Sequence, residues 1–201
     1  MVNTCQLQVP VVDGDFISQS ATTQLQNGEY IKVPILIGCN FDEGASFASE
    51  SVNTDAEFTA YMESVRFGVA NSSVLDTLSV LYPDIPAIGI PAILHGRPAA
   101  APGGLGLQFK RASSIIGDAL MHAPRKFMTE IWAANNLTSY SYRFNVVPNG
   151  VSYSFGADHF KEVAFVMNNV KGDGYVQKGG VDPFADKLES FKGLVKLITR
   201  M

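Results

Sequence analysis

The sequence predicts an α/β fold in which helices pack around a parallel sheet. Val33 to Ile37 is a short, almost entirely apolar run rich in β-branched residues, which is typical of a strand buried on both faces of such a sheet. Ser139 to Val147 is rich in aromatic and β-branched residues and predicts a second strand. Between these runs, apolar residues recur at helical spacing in several segments, so strands and helices alternate along the chain.

The segment before the first strand is mostly polar. Val9 to Ile17 is extended and enters a turn at Asp13-Gly14-Asp15, and Ser18 to Glu29 predicts a polar connection with a turn at Asn27-Gly28. The strand ends at Gly38 and leads into a polar loop. Open α/β sheets place their chemistry just past the carboxyl ends of their strands, although a strand followed by an ordinary turn is the commoner case.

Two helices are predicted in the middle of the chain. Asn53 or Thr54 can cap the first, which has acidic residues in its first turn and the apolar positions Phe58, Tyr61, Met62 and Val65. Ser72 or Ser73 can cap the second, and Tyr82-Pro83 ends it. Its apolar face comprises Val74, Leu75, Leu78 and Leu81.

A long irregular connection is predicted from Ile85 to Gly106, because this stretch is rich in Pro, Gly and Ala. His95 lies in it and is expected to be an exposed loop histidine. Helical spacing returns from Leu107 to Ala119, and Pro124 fits the first turn of a further helix that Asn135-Asn136 ends. Trp132 of that helix is predicted to lie in the core, and His122 before it is expected to be structural.

Composition excludes several classes of function. The 201 residues suit one domain or part of a larger one, and 46% of them are apolar, which is enough for a core. A net charge of −4 provides no basic surplus for nucleic acid. No apolar run reaches the roughly 18 residues of a membrane span. The first residues also lack the basic and apolar regions of a signal peptide.

Cysteines, sequons and histidines give weaker signals. Cys5 and Cys39 could form a disulfide or stay free, and the position of Cys39 at the end of a buried strand favours a free thiol. Asn-x-Ser/Thr sequons at Asn71 and Asn136 are possible glycosylation sites and agree with secretion. The three histidines are scattered, so we expect no metal site and no cofactor.

Several strings occur in the order found in one enzyme family. They are P-V-V-D-G-D-F-I from Pro10, D-E-G from Asp42, D-A-L-M-H-A-P-R-K from Asp118, Y-S-Y-R-F from Tyr140, and a G-x-x-H-x-x-E string from Gly156. Together they resemble the type-B carboxylesterases, the family that includes the cholinesterases and many fungal lipases. The resemblance implies the C-terminal portion of an α/β-hydrolase fold, with late sheet strands and surrounding helices but without the N-terminal half of the sheet. Residues 1–201 are accordingly expected to be a partial domain, truncated at both ends.

The resemblance also implies a catalytic pair. Glu43 matches the acid of the family's Ser-Glu-His triad, His159 matches the general base, and Glu162 stands at a further acidic position. A serine hydroxyl is a poor nucleophile at neutral pH, so the histidine must take its proton during attack. The carboxylate holds the histidine in the correct tautomer and stabilises the imidazolium.

The nucleophile of the triad has no counterpart in this sequence. No G-x-S-x-G pentapeptide occurs; Gly44-Ala45-Ser46 begins like one, but Ala48 replaces the second glycine. Gly103-Gly104 follows the acid and therefore does not match the family's oxyanion loop. We expect a carboxylic ester hydrolase that is inactive as given, poorly soluble, and derived from a secreted full-length form acting on small-molecule or lipid esters. The alternative is a non-catalytic binding or adhesion protein on the esterase fold.

Overall fold

Two parallel strands form the sheet in the part of the chain that the structure describes. This structure is a computed structural model, and it describes residues 10–65, 72–98, 104–147 and 153–167. Strand β1 spans Ile35–Asn40 and strand β2 spans Ser139–Phe144, in a register that places Ile35 opposite Ser139 and Asn40 opposite Phe144. The parallel sheet predicted from the sequence is therefore confirmed.

Helices account for most of the other regular structure among these residues. They are α1 (Ala21–Asn27), α2 (Asp55–Ser64), α3 (Ser72–Leu81), α4 (Phe109–Gly117), α5 (Ala123–Ala134) and the short α6 (Val163–Val166). A 3-10 helix follows β1 at Glu43–Ser46, and another spans Tyr153–Phe155. In the described ranges, every helix is too short or too polar to span a bilayer.

The first strand differs from its prediction in position and burial. It starts at Ile35 and continues past Gly38 to Asn40. The prediction that it is buried on both faces is wrong for its first half, since Leu36 is 42% exposed and its neighbour Tyr140 on β2 is 49% exposed. Leu36 and Tyr140 are opposite each other in the register, so the two exposed side chains lie on the same face of the sheet.

Helix α1 replaces the polar connection predicted before the strand. The Ser20 side chain accepts a hydrogen bond from the Thr23 N–H at its start, and Gly28 ends it in the left-handed conformation with φ 75°. No residue of α1 is buried, so the segment lacks the apolar stripe by which a helix is recognised in a sequence.

Helix α2 begins where the sequence predicts. Thr54 and Glu57 form a capping box, in which the side chain of each residue accepts a hydrogen bond from the backbone N–H of the other. Phe58 and Met62 point into a core cluster that includes Val52, Ile115 and Ile116. On α3, Leu75 and Leu78 pack against this cluster, but Val74 and Leu81 are 37% and 65% exposed.

The helical region after residue 108 is continuous. A π-helical turn at Asp118–His122 joins α4 to α5, and Pro124 lies in the first turn of α5 as predicted. Trp132 is buried, as expected: its Nε1–H donates to the Val33 carbonyl at 2.8 Å, and its ring stacks on Tyr30. Through these two contacts, helix α5 fixes the segment that precedes β1.

The described part of the predicted irregular connection, residues 85–98, contains neither helix nor strand. It packs over α4, where the Ile90 N–H donates to Ser114 Oγ at 3.1 Å and Lys110 Nζ donates to the Leu94 carbonyl at 2.5 Å. His95 is exposed, as predicted.

Candidate functional site

The end of strand β1 determines where Glu43 lies. The Phe41 N–H still bonds the Phe144 carbonyl of β2 at 2.8 Å, and the chain then turns into the 3-10 helix. Gly44 lets this helix approach α4 closely, because a Cβ at Gly44 would stand 1.9 Å from the Ser113 carbonyl oxygen. Glu43 is consequently held at the carboxyl end of the sheet with only 4% of its surface exposed.

His159 is brought to the same place by a loop that follows the second 3-10 helix. Gly156 adopts a left-handed φ of 64°, which favours glycine. Ala157 is then bonded to Asp42 in both directions: its N–H donates to Asp42 Oδ2 at 2.9 Å, and its carbonyl accepts the Asp42 N–H at 3.0 Å. These bonds fix the backbone two residues before His159.

The structure brings Glu43 and His159 together, although 116 residues separate them in sequence. Nδ1 of His159 lies 2.7 Å from Oε2 of Glu43. The other carboxylate oxygen accepts the Asn40 N–H at 2.7 Å, so both oxygens of the buried acid are occupied. The His159 side chain is 39% exposed and its ring lies 4.9 Å from the Phe47 ring.

This arrangement has the geometry of a general base supported by a carboxylate. With Glu43 accepting the proton on Nδ1, the neutral imidazole carries its free lone pair on Nε2, at the other side of the ring. Nε2 can then take a proton from a hydroxyl group placed beside it, and Glu43 stabilises the resulting imidazolium. The partial exposure of His159 leaves room for such a partner.

Sequence reasoning missed several polar residues around this pair. Asn40, Asp42 and Asp158 are all buried, and Asn40 donates through Nδ2 to the Asp158 carbonyl at 2.7 Å and to Glu162. Burial raises the pKa of the Asp42 carboxyl above its ordinary value, against the effect of hydrogen bonds from two backbone N–H groups. Their position in the sequence could have identified the two aspartates, because Asp42 directly precedes Glu43 and Asp158 directly precedes His159.

Other residues singled out in the sequence lie away from this pair. Cys39 is a buried free thiol that donates to the Met121 carbonyl at 3.4 Å, and burial raises its pKa. Asn136 lies exposed in the turn after α5, which agrees with a glycosylation site. Asn71 and Cys5 lie outside the described residues.

Among the described residues, no group of metal ligands is found at the Glu43–His159 pair, and a sizeable cavity has a lining that excludes both residues. In the ranges that the structure describes, no three His, Cys, Asp or Glu side chains are grouped to hold a metal ion. The lining of a cavity of about 410 Å³ includes Cys39, His122 and Tyr142. Neither Glu43 nor His159 lines this cavity.

Comparison with solved structures defines the class of fold. The crystal structure of Aspergillus niger EstA matches with a TM-score of 0.67 at 20% sequence identity, over 93% of this chain and 32% of that one. The structure named PNB esterase matches with a TM-score of 0.58 at 18% identity, over 94% of this chain and 32% of that one. The chain therefore has part of an α/β-hydrolase fold, as the sequence strings predicted.

Sequence comparison defines the family. The model of the carboxylesterase family matches residues 3–179, and the chain belongs to this family. Lipase 2 of Geotrichum candidum is 29% identical over 161 residues, which are 79% of this chain and 27% of that lipase. Secreted lipase 1 of Botryotinia fuckeliana is 30% identical over 176 residues, 81% of this chain and 28% of the relative. The chain thus spans about a quarter of the length of these relatives, and the family assignment made from the sequence is confirmed.

Proposed function

We propose that this chain is the acid- and base-bearing part of a carboxylic ester hydrolase, with Glu43 as triad acid and His159 as general base. The observation that carries the proposal is the 2.7 Å contact between His159 Nδ1 and Glu43 Oε2. Glu43 lies just past the carboxyl end of the parallel strand β1, and α/β enzymes assemble their sites at such strand ends. Burial of Glu43 beside a half-exposed imidazole supports the assignment of acid and base.

The reaction follows from the geometry. A serine hydroxyl beside Nε2 would attack the ester carbonyl carbon while His159 takes its proton, and the tetrahedral intermediate would collapse as His159 returns that proton to the leaving alcohol. Water then attacks the acyl-serine bond by the same proton transfers. Backbone N–H groups must stabilise the oxyanion in both halves of the reaction.

The nucleophile and the oxyanion donors have to come from residues other than these 201. No G-x-S-x-G string occurs in the sequence, and the chain spans about a quarter of the matched lipases. We therefore interpret residues 1–201 as a partial type-B carboxylesterase domain that does not hydrolyse esters by itself. The missing serine leaves no atom to attack the carbonyl.

The substrate class and the location follow from the relatives. Several matched proteins are named lipases, and two are named secreted lipases. We propose a small-molecule or lipid ester as substrate and an extracellular location for the full-length form. The exposed sequon at Asn136 supports this location, since glycosylation requires passage through the secretory pathway.

The test begins with the size of the native protein. An antibody against the peptide 155–170 should detect a band well above 21.7 kDa in source material. Protein expressed from the complete coding sequence should hydrolyse p-nitrophenyl esters, and His159→Ala should abolish this activity while His95→Ala keeps it. His95 is the matched control, because it is an exposed loop histidine in the same chain. Near-parental activity in His159→Ala would refute the assignment, and a folded parent without ester hydrolysis would favour a binding function.

A further inference from the structure

The two segments that carry the acid and the base hold each other through a reciprocal pair of hydrogen bonds. Asp42 directly precedes Glu43, and its Oδ2 accepts the N–H of Ala157 from the base-bearing loop at 2.9 Å. Asp158 directly precedes His159, and its Oδ2 accepts the Oγ–H of Ser46 from the acid-bearing helix at 2.9 Å. Each segment therefore provides an aspartate that accepts a hydrogen bond from the other segment.

Both aspartates are withdrawn from solvent, and each uses one carboxylate oxygen in the hydrogen bond between the two segments. Asp42 is 2% exposed, and its second oxygen accepts the Ala92 N–H at 3.3 Å. Asp158 is 6% exposed, and its second oxygen lies 3.1 Å from Nζ of Lys161. Hydrogen bonds to ionised carboxylates are about twice as strong as neutral ones, and burial strengthens them further.

The local backbone is shaped for this contact. Gly156 lies against Asp42 so closely that a Cβ would stand 2.1 Å from Asp42 Oδ2. The Asn40 side chain adds a third link between the segments by donating to the Asp158 carbonyl at 2.7 Å. A residue larger than glycine at position 156 would therefore displace the Asp42 carboxylate from its hydrogen bond.

We propose that Asp42 and Asp158 are positioning residues of the site. The Asp42–Ala157 and Asp158–Ser46 hydrogen bonds, here called the reciprocal clasp, set the distance between His159 Nδ1 and Glu43 Oε2. His159 is half-exposed and sits on a loop, so its own packing does not fix its ring. The clasp transfers the rigidity of the 3-10 helix to that loop. The effect on ester hydrolysis rests on the function proposed above.

Ser46→Ala is the sharpest test. It removes one hydrogen bond of the reciprocal clasp and leaves Glu43, His159 and both aspartates in place. In protein made from the complete coding sequence, kcat for p-nitrophenyl esters should fall by roughly tenfold or more while KM changes less than about twofold. Thr59→Ala is the matched control. The Thr59 hydroxyl donates to the Asp55 carbonyl within α2, in an exposed hydrogen bond outside the site, so this variant should keep the parental kcat.

Variants at Asp158 separate the hydrogen bond from the charge. Asp158→Asn retains an oxygen that can accept from Ser46, whereas Asp158→Ala retains none. Asparagine should therefore restore most of the kcat lost in the alanine variant. Lys161→Gln removes the ion pair and leaves the Ser46 bond, so it should have a smaller effect than Ser46→Ala.

The proton between His159 and Glu43 gives a readout that does not require turnover. A low-field proton NMR signal that disappears in His159→Ala should mark this hydrogen bond in the parent. The signal should broaden or vanish in Ser46→Ala at a temperature at which circular dichroism shows this variant and Thr59→Ala to be fully folded. Retention of both the parental kcat and the parental signal in Ser46→Ala would overturn the proposal, even if the Asp158 variants fail to fold. A parent that shows the signal without ester hydrolysis would refute the proposed function alone.

Discussion

Gly44 packs backbone to backbone against Gly117 at the end of helix α4. A methyl group added at Gly44 would come within 2.4 Å of the Gly117 nitrogen, and one added at Gly117 would come within 2.9 Å of the Gly44 nitrogen. Contacts this short require two glycines. The helical turn that carries Glu43 is thus seated directly on the most buried helix of the described structure.

Gly44→Ala should therefore damage both stability and the site. Overpacking against backbone atoms cannot be relieved by a side-chain rotation, so we expect a loss of about 3 kcal/mol or more in the free energy of unfolding. The displaced turn should also move Glu43 away from His159 and lower kcat. Urea unfolding and ester hydrolysis of the full-length protein measure the two effects.

Gly28→Ala is the control for backbone conformation at a glycine. Gly28 has a left-handed φ of 75°, but nothing lies within 4 Å of the added Cβ. The expected loss is about 1 kcal/mol, with no change in kcat. Equal losses at positions 28 and 44 would contradict the crowding argument.

Removing the acid should cost less than removing the base. In the proposed function, His159 transfers protons itself, whereas Glu43 orients the imidazole and stabilises its charge. In the full-length protein, we expect His159→Ala to lower kcat by about 10⁶-fold and Glu43→Ala by about 10⁴-fold. Steady-state kinetics on p-nitrophenyl esters gives both values. The reverse order would exchange the two roles and refute the assignment.

Asp42 should make stability depend on pH in an unusual direction. Burial raises the pKa of its carboxyl above the ordinary value of 3.8, so the folded state holds this proton more tightly than the unfolded chain. The contribution of Asp42 to stability is therefore complete below pH 3.8 and is lost as pH rises through the raised pKa. Relative to Asp42→Asn, the parent should lose free energy of unfolding between acidic and neutral pH, measured by urea titration.

Asp55 should show the opposite dependence. Hydrogen bonds from Gln108 and Arg111 hold the pKa of its carboxyl below 3.8. Its stabilising contribution is therefore present above that pH and is lost as pH falls through the lowered pKa. Asp55→Asn should reduce the fall in stability at acidic pH, and an identical pH dependence in the Asp42 and Asp55 variants would contradict both sign assignments.

Trp132→Phe should loosen the chain before β1. The change removes the bond from Nε1 to the Val33 carbonyl and leaves that carbonyl without this donor. We expect a loss of about 1–3 kcal/mol in the free energy of unfolding, measured by circular dichroism. Phe127→Leu in the same helix is a control for lost aromatic area without a lost hydrogen bond. A neutral Trp132→Phe would show that the hydrogen bond contributes nothing.

Local signals in the sequence predicted much of the fold. The capping residues around Thr54, the Pro at the start of α5 and the Asn pair at its end all act within a few residues, so the sequence displays them directly. Helix α1 was missed because none of its residues is buried, so its sequence shows no apolar stripe. The burial of β1 was overestimated because an apolar run does not reveal whether another element covers each face of the strand.

The site needed information beyond local pattern. Glu43 and His159 were predicted from a family resemblance, since an acid in a loop and a histidine in a loop are ordinary features when taken alone. Asp42, Asp158 and Ser46 were missed because their roles depend on contacts across more than a hundred residues. Acidic and hydroxyl residues in loops are usually solvated, so nothing in their local sequence predicts burial.

The parallel pairing of β1 with β2 has a consequence for protein synthesis. Residues joined in this register are 104 positions apart, as Ile35 and Ser139 show, and the acid and base are 116 positions apart. At about 5–20 residues per second, a ribosome releases Glu43 roughly 6–23 s before His159. For most of that interval β1 has been made and its partner strand β2 has not. The contact between Glu43 and His159 can form only after translation has passed residue 159, so the proposed proton-transfer pair is absent from every shorter nascent chain.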